Sequence, residues 1–217
     1  MADEAVVVVA GGAPPPREAA LEVPPGTTVI AADGGLENAN ALGLTATTAI
    51  GDFDSVSHDA LDAAAAAGVQ LVRHPEAKDA TDLELALDAA LELDPERIHV
   101  LAGDGGRLDH LLAALLLLAS PRYGTVPIDA TFGSAQVHVV RGERTIAGEP
   151  GELLSLVALN GPAEGVTTEG LAYPLLGETL EPGSSRGVSN VFSAGTALVR
   201  VERGVLLAIR PGPEEKT

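Results

Sequence analysis

Along the first part of the chain, short unbroken apolar runs alternate with longer stretches whose apolar residues recur at helical spacing. Residues 5–10 (AVVVVA) and 28–32 (TVIAA) read as buried strands, and 47–50, 69–74 and 98–102 as three more strands. Between them lie helix candidates at 36–42, at the Ala-rich 59–67, and at 81–93, where Leu83, Ala86, Leu87, Ala90 and Leu91 share one face. Residues 108–119 are apolar nearly all round, which predicts a buried helix. Unbroken apolar strands separated by helices predict a parallel sheet covered on both faces.

From about residue 125 the pattern changes to short strand candidates punctuated by Gly, Pro and Asn. These are 128–132, 136–140, 153–158, 165–168, 191–193, 196–201 and 205–209, the last two reading as a tight hairpin around 202–204. Such a run predicts a sandwich or a barrel. The boundaries read as 1–123 for the α/β part and 124–212 for the β part, with a disordered tail at 213–217.

Composition narrows the function. The 217 residues are 46% hydrophobic and 20% charged, which suits a globular protein with a real core. There is no Cys, which excludes disulfides, thiolate metal sites and a Cys nucleophile. The start, MADEAVVVVAGG, is acidic with a short apolar run, unlike a secretory signal, and a cytoplasmic protein is expected. A net charge of -18 makes nucleic acid and membrane surfaces poor partners. An anionic nucleotide would need local help from a cation, an Arg or a helix N-terminus.

The carboxylates of the first part gather where strands end or helices begin. Asp33 follows the second strand in AADGG, Asp52 and Asp54 follow the third in GDFDS, and Asp79 and Asp82 open a helix in KDATD. Asp104 and Asp109 follow the last strand in AGDGGRLDH. In an open parallel sheet, ligands bind outside the carboxyl ends of the strands. Singly, each acid has an ordinary explanation: Asp79 as a helix N-cap, Asp33 and Asp104 as turn residues. The paired acids of GDFDS, and the recurrence of the pattern, favour a hard cation with oxygen ligands. Magnesium fits best, because Cys is absent, the His residues form no ligand cluster, and EF-hand spacing is missing. Gly105 and Gly106 offer backbone N–H groups before a helix, Arg107 can grip a phosphate, and Asp109 and His110 follow. Gly11 and Gly12 after the first strand are a further possible phosphate contact. There is no Walker-type GxxxxGK[ST] loop.

In this order, ADGG at 32–35, GDFDS at 51–55, KDATD at 78–82, GGRLDH at 105–110, GVTTEGLAYPL at 165–175 and SSRGVSN at 184–190 resemble thiamine pyrophosphokinase. The likeness covers nearly the whole chain. It implies a Rossmann-like α/β N-terminal domain followed by an all-β sandwich, assembled as a homodimer with shared active sites. It also implies transfer of diphosphate from ATP, the co-substrate, to the hydroxyl of thiamine. By the family pattern, Asp33, Asp52, Asp54 and Asp82 lie around Mg2+ and the diphosphate, with Asp79 and Thr81 beside them. Catalysis would then rest on Asp52, Asp54, Asp79 and Asp82. Gly105, Gly106, Arg107, Asp109 and His110 would lie on the ATP side, and Ser189 and Asn190 near thiamine across the dimer interface. Three features depart from the pattern: Val191 stands where an acid is usual, Asp104 where Thr or Ala is commoner, and there is no Trp. Two other readings are a related diphosphokinase acting on another alcohol, such as a pterin carbinol, and a non-catalytic thiamine- or nucleotide-sensing module. In a sensing module the metal-site acids would be missing, and here all are present.

Overall fold

A computed structural model describes residues 5–212. The tail predicted at 213–217 lies outside the described residues. By backbone contacts the chain forms two compact units, residues 1–109 with 126–133, and 110–125 with 134–217.

In the first unit, β1 (Val6–Val9), β2 (Thr28–Ala32), α1 (Gly35–Ala41), β3 (Thr48–Gly51), α2 (His58–Ala66), β4 (Gln70–Arg73), α3 (Asp82–Glu92) and β5 (Ile98–Ala102) follow one another. They are the elements that the alternating pattern predicts, within a residue or two at their ends. Two helices carry side-chain caps. The Ser57 hydroxyl accepts from the Ala60 N–H at 3.3 Å, and the Thr81 hydroxyl accepts from the Glu84 N–H at 3.2 Å. The N-cap of α3 is therefore Thr81, two residues beyond Asp79.

After α4 (Leu108–Leu118) comes β6 (Ile128–Phe132). Strand β6 pairs parallel with β5, so it joins the first unit's sheet and not the run of β strands with which the sequence groups it. A short apolar strand carries no local sign of its partner, which explains the misgrouping. All pairings here are parallel, in the order β6-β5-β1-β2-β3-β4. The chain runs outward from β1 through β4, then returns to the other side of β1 at β5. That reversal opens the sheet at the carboxyl ends of β1 and β5, where such folds bind ligands. Val7, Val9, Val29, Ala31 and Ala49 form one core with Leu36 and Ala39 of α1 and Leu61 and Ala64 of α2. The alternate strand residues, Val6, Val8 and Ile30, are also buried, and α3 packs across β1, β2 and β3. Burial on both faces is why these strands lack polar alternation.

Helix α4 departs from expectation. Only Ala114 and Leu118 of the helix are buried, while Leu108 is 77% exposed, Leu112 55% and Leu116 39%. Spaced four apart, these three form one uncovered stripe. An all-round apolar helix says that it needs cover, but not that its own chain supplies all of it. No described helix is long and apolar enough to cross a membrane.

In the second unit, β7 (Ala135–Val140), β8 (Glu143–Ala147), β9 (Leu153–Ala158), β10 (Ala163–Glu169), β11 (Leu176–Leu180), β12 (Asn190–Val191), β13 (Thr196–Arg200) and β14 (Leu206–Arg210) form antiparallel sheets. One orders as β12-β9-β14-β7, the other as β11-β10-β13-β8. A single apolar cluster draws on both, including Leu154, Leu156 and Leu206 from the first and Ile146, Val166 and Val199 from the second. Strands β13 and β14 lie in different sheets, so the hairpin expected at 202–204 is instead a corner between sheets. Two strands escape the sequence pattern. In β11 only Leu180 is buried, and in β8 only Ile146, so neither shows an apolar run.

Candidate active site

Parallel strands place their following turns along one edge of the sheet, and the acids gather there. Asp33, directly after β2, has φ 47, in the left-handed region that Asp tolerates better than most residues. Its N–H donates to the Ile50 carbonyl at 2.8 Å, tying the turn to the end of β3. Gly51 makes room for it: a Cβ on Gly51 would lie 3.0 Å from the Asp33 Cβ. The Ser55 hydroxyl donates to Asp33 Oδ2. Asp33 Oδ1 is buried and has no hydrogen-bond partner.

Asp52 follows β3, and Asp82 is the first residue of α3. Asp33, Asp52 and Asp82 each offer a carboxylate oxygen within 4.8 Å of the others. Lys78 lies against two of them, its Nζ 2.8 Å from Asp52 Oδ2 and 2.9 Å from Asp82 Oδ1. The first contact is a hydrogen bond; the second is an ion pair that leaves Asp82 Oδ1 without one. The Lys78 hydrogen bond holds the Asp52 carboxyl below its ordinary pKa, against an opposing effect of burial. For Lys78 itself burial works downward, but the nearby Asp52 and Asp82 carboxylates together outweigh it and the pKa is raised.

The structure does not bring every expected acid into this group. Asp54 is exposed and outside the cluster, yet its pKa is raised, first by the negative charge of Asp52. Asp79 is exposed and also outside it. Thr81 has its hydroxyl engaged as the α3 cap. Between Asp52 and Asp54, Phe53 is buried with φ 62, and Arg73 stacks 5.1 Å from its ring centre. Gly105, Gly106, Arg107, Asp109 and His110 are all exposed, at and after the end of β5. Arg107 forks onto Asp109, its Nε 3.2 Å from Oδ1 and its Nη2 2.6 Å from Oδ2. Gly11 serves packing: a Cβ there would meet the Ala32 carbonyl oxygen and the Gly34 nitrogen, both at 3.3 Å.

In the second unit, Ser189 is exposed with φ 57, and its N–H donates to Ser155 Oγ at 3.0 Å. Asn190 is only 3% exposed. Its Oδ1 accepts from the N–H groups of Tyr173 at 3.0 Å and Val191 at 2.9 Å, and its Nδ2 donates to the Tyr173 carbonyl at 2.7 Å. Its amide therefore clamps the Tyr173 backbone, leaving the tyrosine ring outside at 61% exposure for the residue. Two residues that the sequence reading quoted without a role belong with the acids: Lys78 and Ser55. The i, i+4 spacing of Lys78 to Asp82 was the available signal for the first.

A parallel sheet with a carboxylate cluster at its carboxyl edge, and a β-rich unit after it in the chain, defines an α/β protein with a candidate cation site where such sheets bind ligands. Comparison with known proteins specifies which. The family model for the thiamin pyrophosphokinase catalytic domain matches residues 24–128, and that for the thiamin pyrophosphokinase vitamin B1 binding domain matches residues 136–206. A thiamine pyrophosphokinase of Bacillus subtilis is 28% identical over 186 residues, covering 85% of this chain and 87% of that protein. The crystal structure of a Bacillus subtilis thiamine pyrophosphokinase superposes with a TM-score of 0.84 at 28% identity, over 96% of this chain and 99% of that one. A thiamin pyrophosphokinase family protein of Enterococcus faecalis gives 0.81 at 28% identity, over 97% and 99%. The chain belongs to the thiamine pyrophosphokinase family.

Proposed function

We infer that this chain transfers a diphosphoryl group from ATP to the hydroxyl of thiamine, giving thiamine diphosphate and AMP. The observation that carries the site assignment is the convergence of Asp33, Asp52 and Asp82 at the sheet's carboxyl edge. The donors are hard oxygens, and Asp33 Oδ1 is buried with nothing bonded to it, an arrangement that suits magnesium. Bound there, magnesium would neutralise charge on the phosphate oxygens.

The chain's own residues supply the rest. Arg107, oriented by Asp109, is placed to bind phosphate, and the exposed N–H groups of Gly105 and Gly106 lie beside it. The thiamine alcohol oxygen bonds to the β-phosphorus while the bond from that phosphorus to the bridging oxygen of AMP breaks. Asp54, exposed beside Asp52 and outside the cluster, is the carboxylate left to accept the alcohol proton. Little covalent help is needed beyond alignment and charge neutralisation. On the thiamine side, Ser189 and Asn190 act by shaping the segment that carries Tyr173. The Asn190 clamp makes its contribution one of position.

The same reading includes a Rossmann-like first domain, a β-sandwich second domain, a cytoplasmic setting and a homodimer whose sites use both chains. The uncovered Leu108, Leu112 and Leu116 stripe supports association with a second copy. The deciding assay is AMP release from ATP in magnesium, with thiamine, with a pterin carbinol, and with neither. Release that depends on thiamine is expected. Release with the pterin alone, or none with either, overturns the assignment.

A further inference from the structure

Resting on the reading that the acid cluster holds a divalent cation, we propose that Lys78 is the cluster's resident counterion, displaced when the cation binds. Its ammonium contacts Asp52 and Asp82, two of the three acids whose oxygens converge. The side chain is 14% exposed, so the ammonium is held inside the group. One ammonium neutralises one of three negative charges and leaves Asp33 Oδ1 buried without a partner. A divalent cation taking one oxygen from each acid would share Asp52 and Asp82 with Lys78.

Occupancy by both is opposed, since like charges a few ångströms apart repel strongly in a poorly solvated site. A free cation must therefore displace Lys78 with nothing to receive its charge. A polyphosphate arriving with the cation changes that. The flexible lysine stem can turn its ammonium onto the phosphate oxygens, so the displaced charge finds a partner. Cation and nucleotide then bind with positive coupling, each strengthening the other. Lys78 thereby keeps an acidic site closed to bare divalent ions and opens it to the cation–nucleotide pair.

The test is calorimetric titration of Mn2+, without nucleotide, into the full chain and into Lys78→Met, Lys78→Arg and Lys78→Met with Asp33→Asn. The titrations are then repeated with a non-hydrolysable ATP analogue. Lys78→Met should bind the bare cation about tenfold or more tightly than the parent, as removal of a like charge at this range requires. Lys78→Arg should bind as weakly as the parent, Asp33→Asn should abolish the gain, and the analogue should tighten cation binding less in Lys78→Met than in the parent. A second readout needs no variant. The chain has two lysines, Lys78 and Lys216, so acylation mapped by mass spectrometry reports on Lys78 separately. Its reactivity should rise at saturating Mg2+ without nucleotide. Unchanged bare-cation affinity in Lys78→Met, or unchanged Lys78 reactivity at saturating Mg2+, overturns the proposal. The cluster assignment survives that result if Asp33→Asn still weakens cation binding with the analogue present. No cation binding under any condition overturns both.

Discussion

An alanine at position 35 would place its Cβ 2.0 Å from the Val9 carbonyl oxygen and 2.8 Å from the Val9 carbonyl carbon. Both atoms are backbone in a strand buried on both faces, so neither can rotate aside. Relief requires α1 to retreat from β1 by about 1 Å, which disturbs Leu36 and Ala39 in the core they share with Val7 and Val9. Overpacking of this kind costs typically 1–3 kcal/mol, and an obstacle made of backbone puts it near 3 kcal/mol. For a chain of this size that is a fall of roughly 6–12 °C in melting temperature. Gly105→Ala is the control, since its Cβ would meet only the Ala13 Cβ at 3.3 Å. It should stay within about 0.5 kcal/mol of the parent, as exposed substitutions do. Thermal unfolding followed by circular dichroism measures both. Gly35→Ala should also lose activity, because Asp33 sits two residues before the displaced helix turn. A Gly35→Ala protein that melts within 2 °C of its parent would show that α1 does not press on β1 as argued.

Asp52→Asn should lower turnover by at least ~100-fold with the fold intact, as loss of a preorganised electrostatic contact typically does; near-normal turnover at saturating magnesium refutes its role. Asn190→Ala removes the partners of the Tyr173 N–H and carbonyl and should cost about 1–3 kcal/mol in stability, raising KM for thiamine while leaving KM for ATP unchanged. If sites are shared between chains, mixing inactive Asp52→Asn with an impaired Asn190 variant restores activity beyond the sum of the two, and a monomer in sedimentation at micromolar concentration refutes sharing. Glu152 is held below the ordinary carboxylate pKa of 4.5, first by the Glu149 N–H and then, against burial, by Arg210. A depressed pKa contributes stability above 4.5 that is lost as pH falls through the folded value. Glu152→Gln should therefore melt lower than the parent at pH 7, with the gap closing toward pH 3; a gap independent of pH refutes the linkage.

The parallel half was legible because its signals are local. Apolar runs marked strands, and the Asp-bearing motifs sat where the strands ended. What joins those motifs is not local. The pairing of β2 with β3 brings Asp33 beside Asp52, and the packing of α3 across both adds Asp82. A sequence shows the three acids but not that Asp54, two residues from Asp52, falls outside their group. Lys78 was hidden for a similar reason. Its i, i+4 relation to Asp82 is visible, but its bond to Asp52 spans 26 residues. In the second half the missed strands are those with little burial, β8 and β11, where strand formation follows from pairing partners and not from an apolar face. Asn190 was visible in its motif, but its surroundings were not: it is buried, and its amide makes two hydrogen bonds to the Tyr173 backbone and accepts a third from the Val191 N–H.

The backbone sets three of the motifs apart independently of their side chains. Among the described residues, five non-glycine positions have positive φ: Asp33, Phe53, Asp94, Asn160 and Ser189. Three of these fall in ADGG, GDFDS and SSRGVSN. Asp94 and Asn160 belong to residue types that tolerate this region and need no special cause. Phe53 does not, and holding a bulky side chain there costs on the order of 1–3 kcal/mol. Its ring offsets that cost by lying buried in the core beneath Arg73, so the strained residue is anchored by the part that points inward. The consequence appears on either side of it. The left-handed residue turns the chain sharply between Asp52 and Asp54, and the two acids meet different environments: Asp52 bonded to Lys78 within the cluster, Asp54 exposed beyond it with its proton affinity raised. Two carboxylates two residues apart acquire opposite pKa shifts, because Lys78 bonds to Asp52 while Asp54 faces the negative charge of Asp52.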